Sequence, residues 1–225
     1  MNELRAFLAD PPAFLRQNHV RFRGACSLAP GATGSFLLLR VDGRRARTGR
    51  LFLGMAVGRR DAGVYEIRYA QSHNIPDRDE NLGAFDAVWS GYQSEAAVQC
   101  ALDGQGADIM LTPELTGCTV ASTSGPDGSA RFSHYNLRDP AAPKRTMDAA
   151  GMRAHAALDF AGSPHALLTK EAYYGMARRG GPAQATVIGW RKGGAWSFWV
   201  QYVEQAGQVA KIRDVERMRP GTRFG

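Results

Sequence analysis

Three cysteines and five histidines are the residues of this 225-residue chain best suited to covalent or acid/base chemistry. Cys118 stands out because it follows Gly117 where an apolar stretch begins, and a glycine there lets a substrate carbonyl approach the sulfur and the nearby backbone N–H groups. His134 lies sixteen residues on. Between them, Ser124-Gly125-Pro126-Asp127-Gly128-Ser129 is composed of turn residues, so strands over Cys118 to Ser122 and Ala130 to Tyr135 should form a hairpin with Cys118 and His134 at its open end. A thiol of pKa about 8.5 is mostly neutral at pH 7, and a neighbouring imidazolium stabilises the thiolate; lowering the pKa by two units corresponds to roughly 2.7 kcal/mol. Thr112, six residues before the cysteine, is a candidate to accept a hydrogen bond from the other imidazole nitrogen, through its hydroxyl or its main-chain carbonyl. The backbone at Gly117 and Thr119 is the candidate to hold an oxyanion.

The elements that must position these residues read as mostly strands. Asn2 to Ala9 reads as a short amphipathic helix stopped by Pro11-Pro12. Strands are expected over Ser35 to Val41, Leu51 to Val57 and Val64 to Ala70. In the last of these, Tyr65, Ile67 and Tyr69 alternate with Glu66 and Arg68, implying one buried face and one wet face. A turn over Arg60 to Gly63 would join the second strand to the third in an antiparallel meander. Ser94 to Leu102 has a serine cap, an early acid and Gly104 beyond it, and reads as a helix. A strand is expected over Ala107 to Leu111. Ser163-Pro164 opens a second helix, closed by Arg178, Arg179 and Gly180. Three strands end the chain: Ala183 to Arg191, Ala195 to Glu204 and Gln208 to Glu216. Arg191-Lys192-Gly193-Gly194 supplies a hairpin turn, and Trp196, Phe198, Val200 and Tyr202 fall on one face. The expected fold class is α/β, with packed, mainly antiparallel or mixed β-sheets in a sandwich-like arrangement and flanking helices. Residues 1–225 are expected to form a single domain, with an N-terminal helix and lead-in over 1–30, catalytic motifs within 107–136 and C-terminal strands over 183–216.

Composition narrows the function classes. The 44% apolar and 22% charged residues are those of an ordinary globular protein, and no apolar run approaches the roughly 20 residues of a membrane span. The first ten residues carry an early acid and no long apolar core, so no Sec signal is expected. Cys26, Cys100 and Cys118 are odd in number and widely spaced, which fits neither a disulfide framework nor a CxxC metal site; a reducing compartment and no metal or organic cofactor are expected. The net charge of +7 favours acidic partners, but the arginines are scattered and no recognition motif accompanies them, so neither nucleic acid nor membrane is expected as a partner. His155 and His165 read as surface or capping groups, and His19 and His73 as loop or strand-edge residues. Trp190, Trp196, Trp199 and Tyr202 read as core. Gly31-Ala32-Thr33-Gly34-Ser35 lacks the lysine of a phosphate loop.

Leu115-Thr116-Gly117-Cys118 resembles the Leu-Ser-Gly-Cys signature of the cytotoxic-necrotizing-factor catalytic domain and the Burkholderia lethal factor, with threonine in place of serine. Val120, the Gly-Pro-containing turn and His134 also resemble those proteins, and so does Thr112, at the position of the lethal factor's catalytic threonine. Ala185 to Trp190, followed by Trp196 to Tyr202, is similar to the C-terminal strand pair of the lethal factor. Gly117-Cys118 and Ser133-His134-Tyr135 further resemble the motifs of the related chemoreceptor deamidases, which are usually shorter chains. These stretches cover about a quarter of the sequence. The resemblance implies packed β-sheets and cysteine-dependent conversion of a target-protein glutamine to glutamate by Cys118, His134 and Thr112. It also implies a bacterial toxin or effector, translocated without a Sec signal into a host cytosol to act on a Rho-family GTPase or a DEAD-box translation initiation helicase. A cysteine protease or transglutaminase would use the same dyad, and a basic binding module in which Cys118 is only packing stands as the non-enzymatic alternative.

Overall fold

A computed structural model describes residues 2–41, 45–52, 55–71, 79–104, 106–125, 127–161, 163–175, 183–206, 209–219 and 223–224. The side chain of Asn2 accepts the Leu4 N–H and starts helix α1 (Glu3–Ala9). Asp10 accepts the Ala13 N–H and starts α2 (Pro11–Gln17), so Pro11 opens a second helix as well as ending the first. Ten strands follow: β1 (His19–Phe22), β2 (Thr33–Arg40), β3 (Arg45–Phe52), β4 (Met55–Ala62), β5 (Val64–Tyr69), β6 (Glu80–Trp89), β7 (Ala97–Leu102), β8 (Ile109–Leu111), β9 (Thr119–Ser124) and β10 (Ala130–Tyr135). The rest comprises β11 (Arg138–Asp139), β12 (Ala142–Thr146), α3 (Ala149–Asp159), β13 (Ala166–Leu168), α4 (Lys170–Gly175), β14 (Ala183–Lys192), β15 (Ala195–Ala206), β16 (Val209–Arg217) and β17 (Arg223–Phe224).

The result is an α/β protein of packed, mixed sheets. A ten-stranded sheet runs β1-β5-β2-β6-β8-β14-β15-β16-β3-β4, a five-stranded sheet runs β17-β13-β9-β10-β7, and β11 pairs with β12. Most pairs are antiparallel, but β1–β5, β6–β8, β16–β3 and β13–β17 are parallel, so the large sheet is not a simple meander. Helices α1 and α2 cover one face of the large sheet, where Phe7, Phe14 and Leu15 join Phe36, Ile67 and Ile188 in a core. The other face meets the five-stranded sheet: Val120, Phe132 and Cys100 pack against Val187, Phe198 and Tyr202. The outer face of the small sheet, with Ala121 and Tyr135, is covered by Met152 and Ala156 of α3 and by Phe160, which caps its C-terminus. Strands β14 and β15 are therefore buried on both faces, which explains their near-continuous apolar sequence.

Several expected elements take a different form. Residues 97–102 are a strand, because Val98, Cys100 and Leu102 alternate with exposed neighbours at period two and pair with β10; the preceding Glu95 sits at φ +63°, outside helical space. The stretch read as one strand from Leu51 to Val57 reverses direction, with Phe52 paired to Met55, and β4 and β5 lie at separate places in the sheet with no hairpin between them. The segment after Pro164 forms β13 before α4 begins at Lys170, and the expected closing residues Arg178 to Gly180 lie outside the described residues. Helix α3 was not foreseen; Asp148 caps it by accepting the Gly151 N–H at 2.8 Å. The face of β5 expected to be wet is not. Glu66 is 3% exposed and is enclosed by ion pairs to Arg21, itself 3% exposed, and to Arg68 at 2.5 Å. Burial pushes the Glu66 carboxyl up, but the two arginines outweigh it and hold it below the usual range.

Both hairpins that matter for the site are as expected. Gly193 and Gly194, at φ +59° and +81°, make the two-residue turn between Lys192 and its partner Ala195, a conformation for which glycine is the natural choice. The Gly125 N–H donates to the Ser129 carbonyl at 2.7 Å and closes the β9–β10 turn, with Asp127 accepting from Ser129.

Candidate active site

The β9–β10 register pairs Val120 with His134 and Thr119 with Tyr135. Directly paired residues share a face, and so do residues two apart on one strand. His134 therefore points to the same side as Val120 and Cys118, towards the large sheet. Cys118 lies just before β9, and its side chain joins Val120 and Phe132 in the same buried cluster. The expected hairpin is present, with His134 opposite Val120, two residues beyond Cys118.

The two side chains are nonetheless both sealed and neutral in this conformation. Cys118 is 8% exposed and lies among Leu115, Val120, Leu168 and Tyr173; burial pushes its thiol up to about 11. His134 is 2% exposed, neither ring nitrogen makes a hydrogen bond, and burial pulls the imidazole down to about 4. The Gly91 backbone lies close enough to favour the protonated ring slightly, without closing a bond of ordinary geometry. No hydrogen bond joins thiol and imidazole. Desolvation disfavours both charged forms, so a thiolate–imidazolium pair requires the site to open or take up polar groups.

Tyr92 is the residue over the imidazole. Its ring meets His134 edge to face at a centroid distance of 5.4 Å, and its hydroxyl accepts a hydrogen bond of 2.8 Å from Asn136 Nδ2. Half of Tyr92 is exposed. It follows Gly91, which adopts φ +80°, and together with Trp89, Pro113 and Glu114 these two residues wall a cavity of 420 Å³. Glu114 has one carboxylate oxygen buried without a hydrogen bond, and burial raises its pKa against the pull of Arg23 and Arg21.

Thr112 follows β8 and is buried, but its hydroxyl donates to the Pro113 carbonyl at 2.9 Å and the Val187 carbonyl at 3.3 Å rather than meeting His134. Neither His134 ring nitrogen bonds to Thr112, through its hydroxyl or its carbonyl, in this arrangement. The Thr119 amide is turned into the ladder: the Asn136 N–H donates to the carbonyl of Ala96, just before β7, so by alternation Tyr135 presents its polar groups to Thr119. An amide committed to the ladder is unsuited to hold an oxyanion, so the structure does not favour Thr119 for that role. Beside Gly117 there is open space, since a Cβ added there would meet nothing within 4 Å.

The loop itself is gripped from α4. The Tyr173 hydroxyl donates to the Cys118 carbonyl at 3.0 Å and the Tyr174 hydroxyl to the Thr116 carbonyl at 2.9 Å. Neither tyrosine, nor Tyr92, carried a sequence signal that would separate it from ordinary packing aromatics. The remaining histidines lie elsewhere. His155 is exposed on α3, His165 stacks on Phe160, and His19 is buried on β1; His73 falls outside the described residues. Among the described residues no cluster of three or more His, Cys, Asp or Glu could hold a metal ion, and no helix is long and apolar enough to cross a membrane.

No protein-family model matches the chain, and no curated protein matches it significantly.

Proposed function

We propose that the protein is a cysteine-dependent protein glutamine deamidase with Cys118 as nucleophile and His134 as acid/base. The observation that carries this reading is the β9–β10 register, which turns His134 to the face where Val120 and Cys118 are buried, next to Gly117, where a Cβ would meet nothing within 4 Å. The resemblance of Leu115–Cys118 and of the C-terminal strand pair to the toxin deamidases supports the same chemistry and supplies the substrate class: a host protein bearing a reactive glutamine, a Rho-family GTPase or a DEAD-box helicase. Delivery from a bacterium into a host cytosol belongs to the same reading.

In the resting arrangement both groups are neutral, and pKa values of about 4 for His134 and about 11 for Cys118 oppose proton transfer between them until the site opens. Once Tyr92 moves aside, His134 takes the Cys118 proton and the sulfur attacks the carboxamide carbon. The Cys118 and Gly117 backbone faces the oxyanion. The imidazolium then returns its proton to the departing nitrogen, releasing ammonia and leaving a thioester. His134 next removes a proton from water, whose oxygen displaces the sulfur and yields the glutamate carboxylate. Water is consumed, ammonia is released, and no oxidant or cofactor enters the balance.

Incubation with a eukaryotic lysate followed by peptide mass spectrometry tests the reading. Gln-to-Glu conversion at a defined site is the expected result. Peptide-bond cleavage or amine incorporation would instead assign the dyad to a protease or transglutaminase.

A further inference from the structure

We infer that Tyr173 and Tyr174 are positioning residues of this centre, which hold the backbone on both sides of Gly117 so that the Cys118 thiol and amide keep a fixed direction. This rests on the deamidase reading only for its catalytic consequence; the anchoring itself is independent of the reaction. The two tyrosines are adjacent in α4, yet their hydroxyls reach alternate carbonyls of the loop, Thr116 and Cys118, and so bracket the glycine. Gly117 needs such restraint. It has no side chain, nothing lies within 4 Å of where a Cβ would stand, and glycine has the widest backbone freedom of any residue. The space that admits a substrate carbonyl is thus the same feature that would let the loop wander.

The peptide unit is planar and trans, so fixing a carbonyl also fixes the N–H on the far side of the same unit. Tyr173, by holding the Cys118 carbonyl, sends the Thr119 N–H into the β10 ladder and makes the nucleophile the last residue before that rigid pairing. Tyr174, by holding the Thr116 carbonyl, fixes the amide that enters Gly117. The Cys118 N–H lies between these two anchored units. Burial also keeps the Tyr173 phenol protonated far above the working pH range, so it remains a donor under all working conditions. Its ring packs beside Cys118, Leu168 and Ala185, and replacement by phenylalanine keeps that packing while removing only the hydroxyl.

The test is amide hydrogen exchange at residues 116–119 in the full chain, compared among wild type, Tyr174→Phe and Tyr173→Phe/Tyr174→Phe. Exchange at Gly117 and Cys118 should be roughly tenfold faster in the double variant, with β7 and β10 unchanged. Cys118 alkylation should show an altered pH profile, and any deamidation should lose kcat with KM retained. Unchanged exchange at residues 116–119, or an equal rise across β7, β9 and β10, would overturn the inference. If the double variant does not fold, Tyr174→Phe alone decides, since Tyr174 is 42% exposed and its loss should loosen Gly117 without unfolding the chain. Faster exchange in a protein that deamidates nothing would uphold the anchors and remove the proposed function.

Discussion

His134 pairs with Val120 and so points to the side of the small sheet where Val120, Phe132 and Cys118, the residue just before β9, are buried together. A one-residue slip in that register would put the two on opposite faces. The catalytic proposal therefore depends on the short turn closed by Gly125 and Ser129.

Tyr92 packs edge to face on His134 and is itself half exposed, which gives the first prediction. Tyr92→Ala should expose the imidazole and speed its carbethoxylation by diethyl pyrocarbonate at least tenfold. Tyr92→Phe, which keeps the ring but loses the hydrogen bond from Asn136, should have an intermediate effect. Peptide mapping reads the rate at His134 against exposed His155, which should not change.

His134 should also make folding stability depend on pH. Its folded-state pKa of about 4 lies below the ordinary 6.5, so between these values the unfolded chain binds a proton that the folded protein does not. Its contribution is fully present above pH 6.5 and is lost as the pH falls towards 4, by roughly 3 kcal/mol. Denaturant unfolding of wild type and His134→Gln across that window should show the difference; parallel curves would mean that the imidazole is not held neutral.

Thr112 separates two roles for one residue. Thr112→Val removes hydroxyl hydrogen bonds to Pro113 and Val187 and should cost about 1 kcal/mol of stability. If the residue serves histidine through its main-chain carbonyl, deamidation by the folded variant should stay within a few-fold of wild type. A loss as large as that of a His134 variant would assign the role to the hydroxyl.

The hairpin was legible in the sequence because its turn residues and its alternation agree with each other, as they do at Gly193-Gly194 between β14 and β15. The helix expected over Ser94 to Leu102 was not a strand by local propensity; pairing with β10 and the left-handed Glu95 decided it. Glu66 reads as a solvent-facing charge until Arg21, forty-five residues away, is seen to enclose it. The same limit applies to the site. Cys118, His134 and Gly117 sit close enough in sequence for one turn to bring them together, whereas Tyr92 and Tyr173 reach them only through tertiary packing.

The most direct test of the central claim is Gln-to-Glu conversion in a eukaryotic lysate by wild type, Cys118→Ser and His134→Ala, each confirmed folded by circular dichroism. The account predicts conversion by wild type, none by Cys118→Ser, and a loss of roughly a hundredfold or more for His134→Ala. Conversion by Cys118→Ser at the wild-type rate would contradict it.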